Sequence, residues 1–99
     1  MSSAPLEQRV QRKILSYLEN SGAFCFKTIT CNKRGIPDIT AVYKGVPIFI
    51  EVKRDKYHKP TELQQYQMAR ITQAGGRAII AFSIDPIVDL LNEIDENVV

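Results

Sequence analysis

Three charged side chains stand at a spacing that brings them together: Asp38, Glu51 and Lys53. Residues 38–43 and 46–53 are rich in Ile, Val, Thr, Phe and Tyr, side chains that suit a pleated surface. Lys44-Gly45 between them reads as a two-residue hairpin turn, with Gly45 supplying a positive φ. Tyr43 then pairs with Val46, and counting outward sets Asp38 opposite Glu51. Side chains alternate faces along a strand, so Lys53 shares the face of Glu51. Two carboxylates and one ammonium therefore meet at the open end of the hairpin. Opposed like charges on a sheet repel by roughly 0.2–1 kcal/mol, and more when desolvated. A bound cation removes the conflict. Oxygen ligands on a rigid sheet, with room for water, suit Mg²⁺ or Mn²⁺.

The string Arg34-Gly35-Ile36-Pro37-Asp38, then Glu51-Val52-Lys53-Arg54, with Thr61 and Gln64 following, resembles the virus-type replication-repair nuclease (VRR-NUC) branch of the PD-(D/E)xK nucleases. A bare D…ExK occurs in many hairpins by chance; the longer string is far more specific. A surface ion-pair ladder is the plain alternative, and it leaves Gly35-Ile36-Pro37 unexplained. The resemblance implies metal-dependent hydrolysis of a phosphodiester in DNA, leaving a 5′-phosphate and a 3′-hydroxyl. It implies that Asp38, Glu51 and the Val52 carbonyl hold the metal. Lys53 then orients or helps deprotonate a water, or neutralises transition-state charge. Glu7 is the position that matches a helix-borne Glu beside the metal in that family, reaching it directly or through water. Gln64 matches a Gln that lies beside the catalytic lysine. Stand-alone members of the family are expected to be homodimers acting on branched DNA such as four-way (Holliday) junctions, and a viral or phage origin fits.

The surrounding elements can be read from the chain itself. Pro5 to Glu19 has helical periodicity, with Leu6, Val10, Ile14, Tyr17 and Leu18 as the expected buried stripe and Asn20-Ser21-Gly22 as the stop. Glu7 lies at the edge of that stripe, where an acid also suits the helix dipole. Ala23 to Ile29 reads as a strand, with Phe24 and Phe26 on one face and Cys25 and Lys27 on the other. Ile36 before a proline favours extended backbone, and Pro37 stiffens the entry to Asp38. Pro47 has no N–H to give, so it belongs at a strand start or unpaired position. Thr61-Glu62-Leu63-Gln64 is a capping box opening a helix to about Ala74, stopped by Gly75-Gly76. Gln64, Met68 and Ile71 share a face that points towards the sheet. Arg77 to Phe82 reads as a buried strand, parallel to its neighbour after the crossover. Ser83-Ile84-Asp85-Pro86 starts a last helix with an Ile87, Leu90, Leu91, Ile94 stripe, and Asn97-Val98-Val99 is expected to fray. The order α-β-β-β-α-β-α gives an α/β fold with one mixed sheet: a restriction-endonuclease-like αβββαβ core with a C-terminal helix, filling residues 1–99 as a single domain.

Composition is that of an ordinary soluble protein, with no apolar run of transmembrane length and no signal peptide, so an intracellular, cytoplasmic location is expected. Cys25 and Cys31 are too few for a disulfide framework or a Cys₄ zinc site, and His58 is not at a ligand spacing from them. Free thiols in or near the core and an exposed loop histidine are expected. No small-molecule cofactor is implied. Net charge is only +2, but residues 85–99 hold five acids and no Lys or Arg, while residues 1–84 hold all thirteen basic residues against six acids. A basic surface around an acidic pocket suits a polyanion. Lys33 and Arg34 flank the entry to Asp38. Arg54, Lys56 and Lys59 leave the hairpin at its charged end, with Tyr57 among them, and are candidates for backbone phosphate contact. Two rivals fit some of this: a nucleic-acid-binding module that keeps the fold without catalysis, and an interaction protein docking through the Ile87–Ile94 helix. Neither needs Mg²⁺, and the intact Asp38, Glu51 and Lys53 speak against the first.

Overall fold

A computed structural model describes residues 6–97. The elements in chain order are α1 (Leu6–Asn20), β1 (Phe24–Lys27), β2 (Ile39–Tyr43), β3 (Val46–Val52), α2 (Glu62–Gln73), β4 (Arg77–Ala81) and α3 (Asp85–Asn97). The strands form one sheet in the order β1-β2-β3-β4, antiparallel except for the β3–β4 pair. The expected α/β order and the parallel return after α2 are therefore present. Pro5 and residues 98–99 lie outside the described residues. Asn97, expected to fray, closes α3.

The β2–β3 hairpin has the register that the turn dictates: Tyr43 faces Val46 and Ile39 faces Ile50. One step further puts Asp38 across from Glu51. Both turn residues have positive φ, Lys44 at 48° and Gly45 at 83°, the geometry whose twist matches that of paired strands. Lys44 carries this without a glycine because its Nζ reaches Asp95 Oδ1 at 2.6 Å, and Tyr43 donates its hydroxyl to the same oxygen at 2.8 Å. The Lys44 hydrogen bond, then that of Tyr43, holds the Asp95 carboxyl below its usual pKa. Pro47 sits opposite Val42, and β4 pairs with β3 only from Ile48 onward. Its missing N–H therefore costs the ladder nothing.

Alternation along β2 and β3 separates two faces. Ile39, Ala41, Tyr43, Ile48, Ile50 and Val52 are buried under α1 and α3, with Ile14 and Leu18 from the first helix and Ile87, Leu90, Leu91 and Ile94 from the last. The α3 stripe is covered completely within the chain, each residue 5% exposed or less. It is thus core, and the idea of it as a docking face is corrected. Leu15 packs against the core edge.

The opposite sheet face carries Asp38, Thr40, Val42, Phe49 and Glu51, and α2 covers only its β3–β4 side. No residue of α2 is buried; Ile71 closes over Phe49 and Gly76 instead. Three expectations need correction here. β1 is shorter than Ala23–Ile29. The β4 strand is an edge, so Ile80 and Phe82 stand exposed rather than buried. Of the two thiols, Cys25 is half-buried against the Leu15 carbonyl but Cys31 is exposed.

The first helix also differs from its expected stripe. Leu6 is half-exposed, and the buried positions are Gln11, Ile14 and Leu18. The inward face is rotated towards Glu7 and Gln11, so it turns from apolar to polar towards the helix N-terminus. Apolar periodicity cannot report such a stripe, because half of its members are polar.

Candidate active site

The charged cluster lies at the open end of the hairpin, at the C-terminal ends of the parallel strands β3 and β4. Asp38 is the last residue before β2. Its backbone carbonyl accepts from Thr28 N at 2.8 Å, and its carboxylate Oδ2 accepts from Val52 N at 2.8 Å. The second bond lets a side chain complete the ladder that β2 leaves, and it fixes the carboxylate's orientation. Pro37, the residue before Asp38, is fully buried.

Glu51 is 2% exposed. Its Oε2 takes Lys53 Nζ at 3.2 Å and Gln64 Nε2 at 3.1 Å. Gln64 Oε1 in turn accepts from Lys53 Nζ at 3.1 Å and from Thr61 N at 2.9 Å. Thr61 Oγ1 accepts from Gln64 N at 3.1 Å, which completes the capping box. Capping and site contact are therefore one arrangement: the amide that caps α2 also joins the lysine to the carboxylate. Lys53 is held further by its own backbone N–H, bonded to Ala81 O at 2.9 Å.

Burial pushes the Glu51 carboxyl up to about 7, with the neighbouring charge of Asp38 adding to it and Lys53 opposing; Glu7 contributes a smaller upward push. Asp38 is also raised, by burial first, against the Val52 N–H and the charges of Lys53 and Lys27. Glu51 Oε1 is buried and has no hydrogen-bond partner. A buried acceptor without a donor is costly, and on a carboxylate it is the natural seat of a cation. The donor set is all oxygen: Asp38, Glu51 and the main chain at Val52. It fits a hard divalent ion. Among the described residues no group of three or more His, Cys, Asp or Glu side chains converges. The charge of Glu7 on α1 reaches Glu51.

The raised Glu51 sets a pH dependence. The folded state holds a proton that the unfolded chain releases near 4.5, so the stabilisation is complete below about 4.5 and is lost as pH rises through 7. Metal-free protein should lose on the order of 2–3 kcal/mol across that window relative to Glu51→Gln. Denaturant titrations of both proteins at pH 5 and pH 8 measure it. Parallel stabilities would remove Glu51 as the group responsible.

Other candidates fall around the cluster. Lys33 and Arg34 are exposed on the loop before Asp38, and Arg54, Lys56 and Lys59 on the loop after Lys53. Arg54 lies 3.6 Å from Asp55, and Lys56 rests over the Tyr57 ring. His58 bonds Asp55 at 2.7 Å and is half-exposed, as an ordinary loop histidine would be. Three residues were missed. Phe24 and Phe26, 70% and 47% exposed, pack edge to face with centroids 6.2 Å apart. Phe26 pairs with Thr40, two residues from Asp38 on the same face. Alternation in β1 had put the rings together, but only the absence of a helix over that face shows them open. Lys27 ends β1 beside Asp38. Two clefts lie at the turn end of the hairpin, one of about 310 Å³ lined by Lys44, Val46, Arg77, Glu93, Ile94 and Asn97, the other of about 260 Å³ over Pro47 and Phe49. Neither holds a residue of the cluster.

A carboxylate pair, a lysine two residues on and a capping glutamine, set at the end of a mixed sheet behind an N-terminal helix, define a nuclease-type domain. Comparison with known proteins agrees. The chain is 30% identical over 80 residues to "Putative nuclease p44" of Acyrthosiphon pisum secondary endosymbiont phage 1, spanning 80% of this chain and 85% of that protein. A solved structure described as a VRR_NUC domain superposes with a TM-score of 0.75 at 26% identity, covering 97% of this chain and all of that one. No family model matches the sequence. The chain belongs to the VRR-NUC family of nucleases. No helix among the described residues is long and apolar enough to cross a membrane.

Proposed function

We propose that this domain is a Mg²⁺- or Mn²⁺-dependent endonuclease that hydrolyses phosphodiester bonds in DNA. The observation that carries the reading is the buried Glu51 oxygen without a donor, beside a second carboxylate that the Val52 N–H has oriented. Asp38, Glu51 and the Val52 carbonyl would hold the ion, with Glu7 adding negative charge at longer range. Such an ion polarises a phosphoryl oxygen and lowers the pKa of water. Lys53 supplies positive charge at the reacting phosphate and orients a water nucleophile. The Gln64 amide positions the Lys53 ammonium by accepting from it while donating to Glu51.

The surroundings support a nucleic-acid substrate. Lys27, Lys33, Arg34, Arg54, Lys56 and Lys59 surround the pair with exposed positive charge, which suits phosphate contacts. Phe24 and Phe26 offer open aromatic faces on the same side, as a splayed base would need. That favours branched DNA, four-way junctions included, over plain duplex. A homodimer would give the second cut that such a substrate requires; light scattering at micromolar concentration tests it, and a monomer alone would remove it.

A panel of labelled linear duplex, single strand, flap and four-way junction, incubated with Mg²⁺, tests the assignment. Cleavage of DNA by the wild type, abolished by EDTA and by Lys53→Ala, is the expected result. Binding of the panel with no cleavage in Mg²⁺ or Mn²⁺ would instead support the non-catalytic module.

A further inference from the structure

Among the described residues two buried side-chain atoms lack a hydrogen-bond partner: Glu51 Oε1 and Gln11 Oε1. Gln11 is 5% exposed and sits on α1 among Ile14 and Leu18. It is neither a cap nor part of the hydrogen-bonded cluster around Lys53. A glutamine whose amide oxygen has no partner is a poor core residue, since Leu or Met would fill that volume without the desolvation cost.

Its place along the sheet can be located. The Cys25 thiol lies 3.7 Å from the Leu15 carbonyl, which fixes α1 against β1. Two strand residues on, about 7 Å, the sheet reaches Lys27, which pairs with Ile39 beside Asp38. Four helical residues back, about 6 Å, α1 reaches Gln11. Helical side chains also lean towards the N-terminus, here towards the turn that holds Glu7. The orphaned amide is thus set on the α1 side of the sheet at the level of Lys27 and Ile39, one residue from Asp38 along the strand and one turn along the helix from the acid whose charge reaches Glu51.

Both orphaned atoms are acceptors, so neither can satisfy the other. A hydrated cation gives them a common solution: the carboxylate takes the ion and the amide takes a proton of its hydration water. We propose that Gln11 is a positioning residue for a hydrated divalent cation at Asp38 and Glu51, accepting a hydrogen bond from a water in the ion's shell. This inference rests on the metal-dependent reading above and assigns it a residue on the first helix.

The test reads metal binding without substrate. Mn²⁺ titrated calorimetrically into wild type, Gln11→Leu, Gln11→Glu and Glu51→Gln gives four affinities, and melting temperatures are taken with and without the ion. Gln11→Leu should bind Mn²⁺ at least about tenfold more weakly, as removal of outer-shell partners does, while its metal-free melting temperature holds or rises. Gln11→Glu keeps an acceptor oxygen and adds charge, so it should bind at least about threefold more tightly and melt lower without metal. A purely packing role would shift melting equally with and without Mn²⁺ and leave affinity unchanged. Should Gln11→Leu not fold, the Glu variant decides: tighter binding supports the assignment and unchanged binding overturns it. Wild type that binds Mn²⁺, with binding lost in Glu51→Gln but unaltered at position 11, sinks this inference alone. Wild type with no affinity for Mn²⁺ sinks the metal reading and this inference with it.

Discussion

Asp38→Asn, Glu51→Gln and Lys53→Ala should each lower turnover by roughly a thousandfold or more while the protein stays folded. Each acts at a different point. Asp38→Asn replaces one oxygen of a carboxylate that Val52 N–H holds at 2.8 Å, and an amide nitrogen turned to that place would confront the N–H donor-to-donor. Glu51→Gln removes the charge whose free oxygen is the proposed cation seat. Its effect on stability should have the opposite sign to its effect on activity. At pH 8 the wild-type carboxylate is charged while buried, so the uncharged amide relieves the desolvation and the Asp38 repulsion together. Metal-free Glu51→Gln should therefore melt above wild type at pH 8, and added Mg²⁺ should raise wild type alone. Lys53→Ala leaves the Glu51 carboxylate without its cation and the Gln64 oxygen with the Thr61 N–H alone, so its metal-free stability should fall at neutral pH. Activity and circular dichroism on the same preparations read all three. Near-wild-type turnover by any folded variant would take that residue out of the mechanism.

The legibility of the site followed the length of its contacts along the chain. The turn at Lys44-Gly45 set the β2–β3 register, and register alone put Asp38 across from Glu51 and Lys53 beside it. Thr61 and Gln64 were legible as a cap because that motif closes within four residues. What the chain could not show was a relation between distant elements that apolar pattern does not encode. The first helix was read from its hydrophobic residues, and these placed Leu6 inside. The structure instead turns Gln11 inward, a rotation that suits a helix whose later turns bury Ile14 and Leu18 in the core while the charge of Glu7 in its first turn reaches Glu51. The last helix failed in the other direction. Its four apolar residues looked like a surplus, because nothing local says how much of a sheet face two helices must cover. With α1 on one half of that face and α3 on the other, none of the stripe is left over. The aromatic pair on β1 was seen as a pair but not as a surface, for the same reason: exposure depends on where α2 lands, and it lands over β3 and β4.

Gly35→Ala should destabilise the protein by about 3 kcal/mol and cut turnover ten- to a hundredfold under conditions where it remains folded. Gly35 has φ +76°, and a Cβ there would meet Leu63 Cγ at 2.8 Å and the Leu63 backbone C and O at 3.2 Å. The left-handed backbone costs an alanine about 1–2 kcal/mol, and forcing the contact apart adds a similar amount. The side-chain end of Leu63 can rotate away; its backbone cannot, because it lies in the first turn of α2. Gln67 on the same helix donates to the Arg34 carbonyl at 3.0 Å, so the loop and the helix are clasped at two points. The turn must therefore move as a unit. Gln64 is the next residue, and its bonds to Lys53 and Glu51 are already 3.1 Å long. A shift of a few tenths of an ångström weakens both, and misplacement of this order near a reacting centre is expensive. Gly22 is the matched control. Its φ is +92°, and a Cβ there meets nothing within 4 Å, so Gly22→Ala should lose only the backbone cost and keep full turnover. Equal destabilisation of the two variants with turnover intact in both would mean that Gly35 serves the loop's own turn. Selective loss at Gly35 would show that the Gly-Ile-Pro-Asp segment needs its glycine to seat the helix that aims Gln64 at the catalytic lysine.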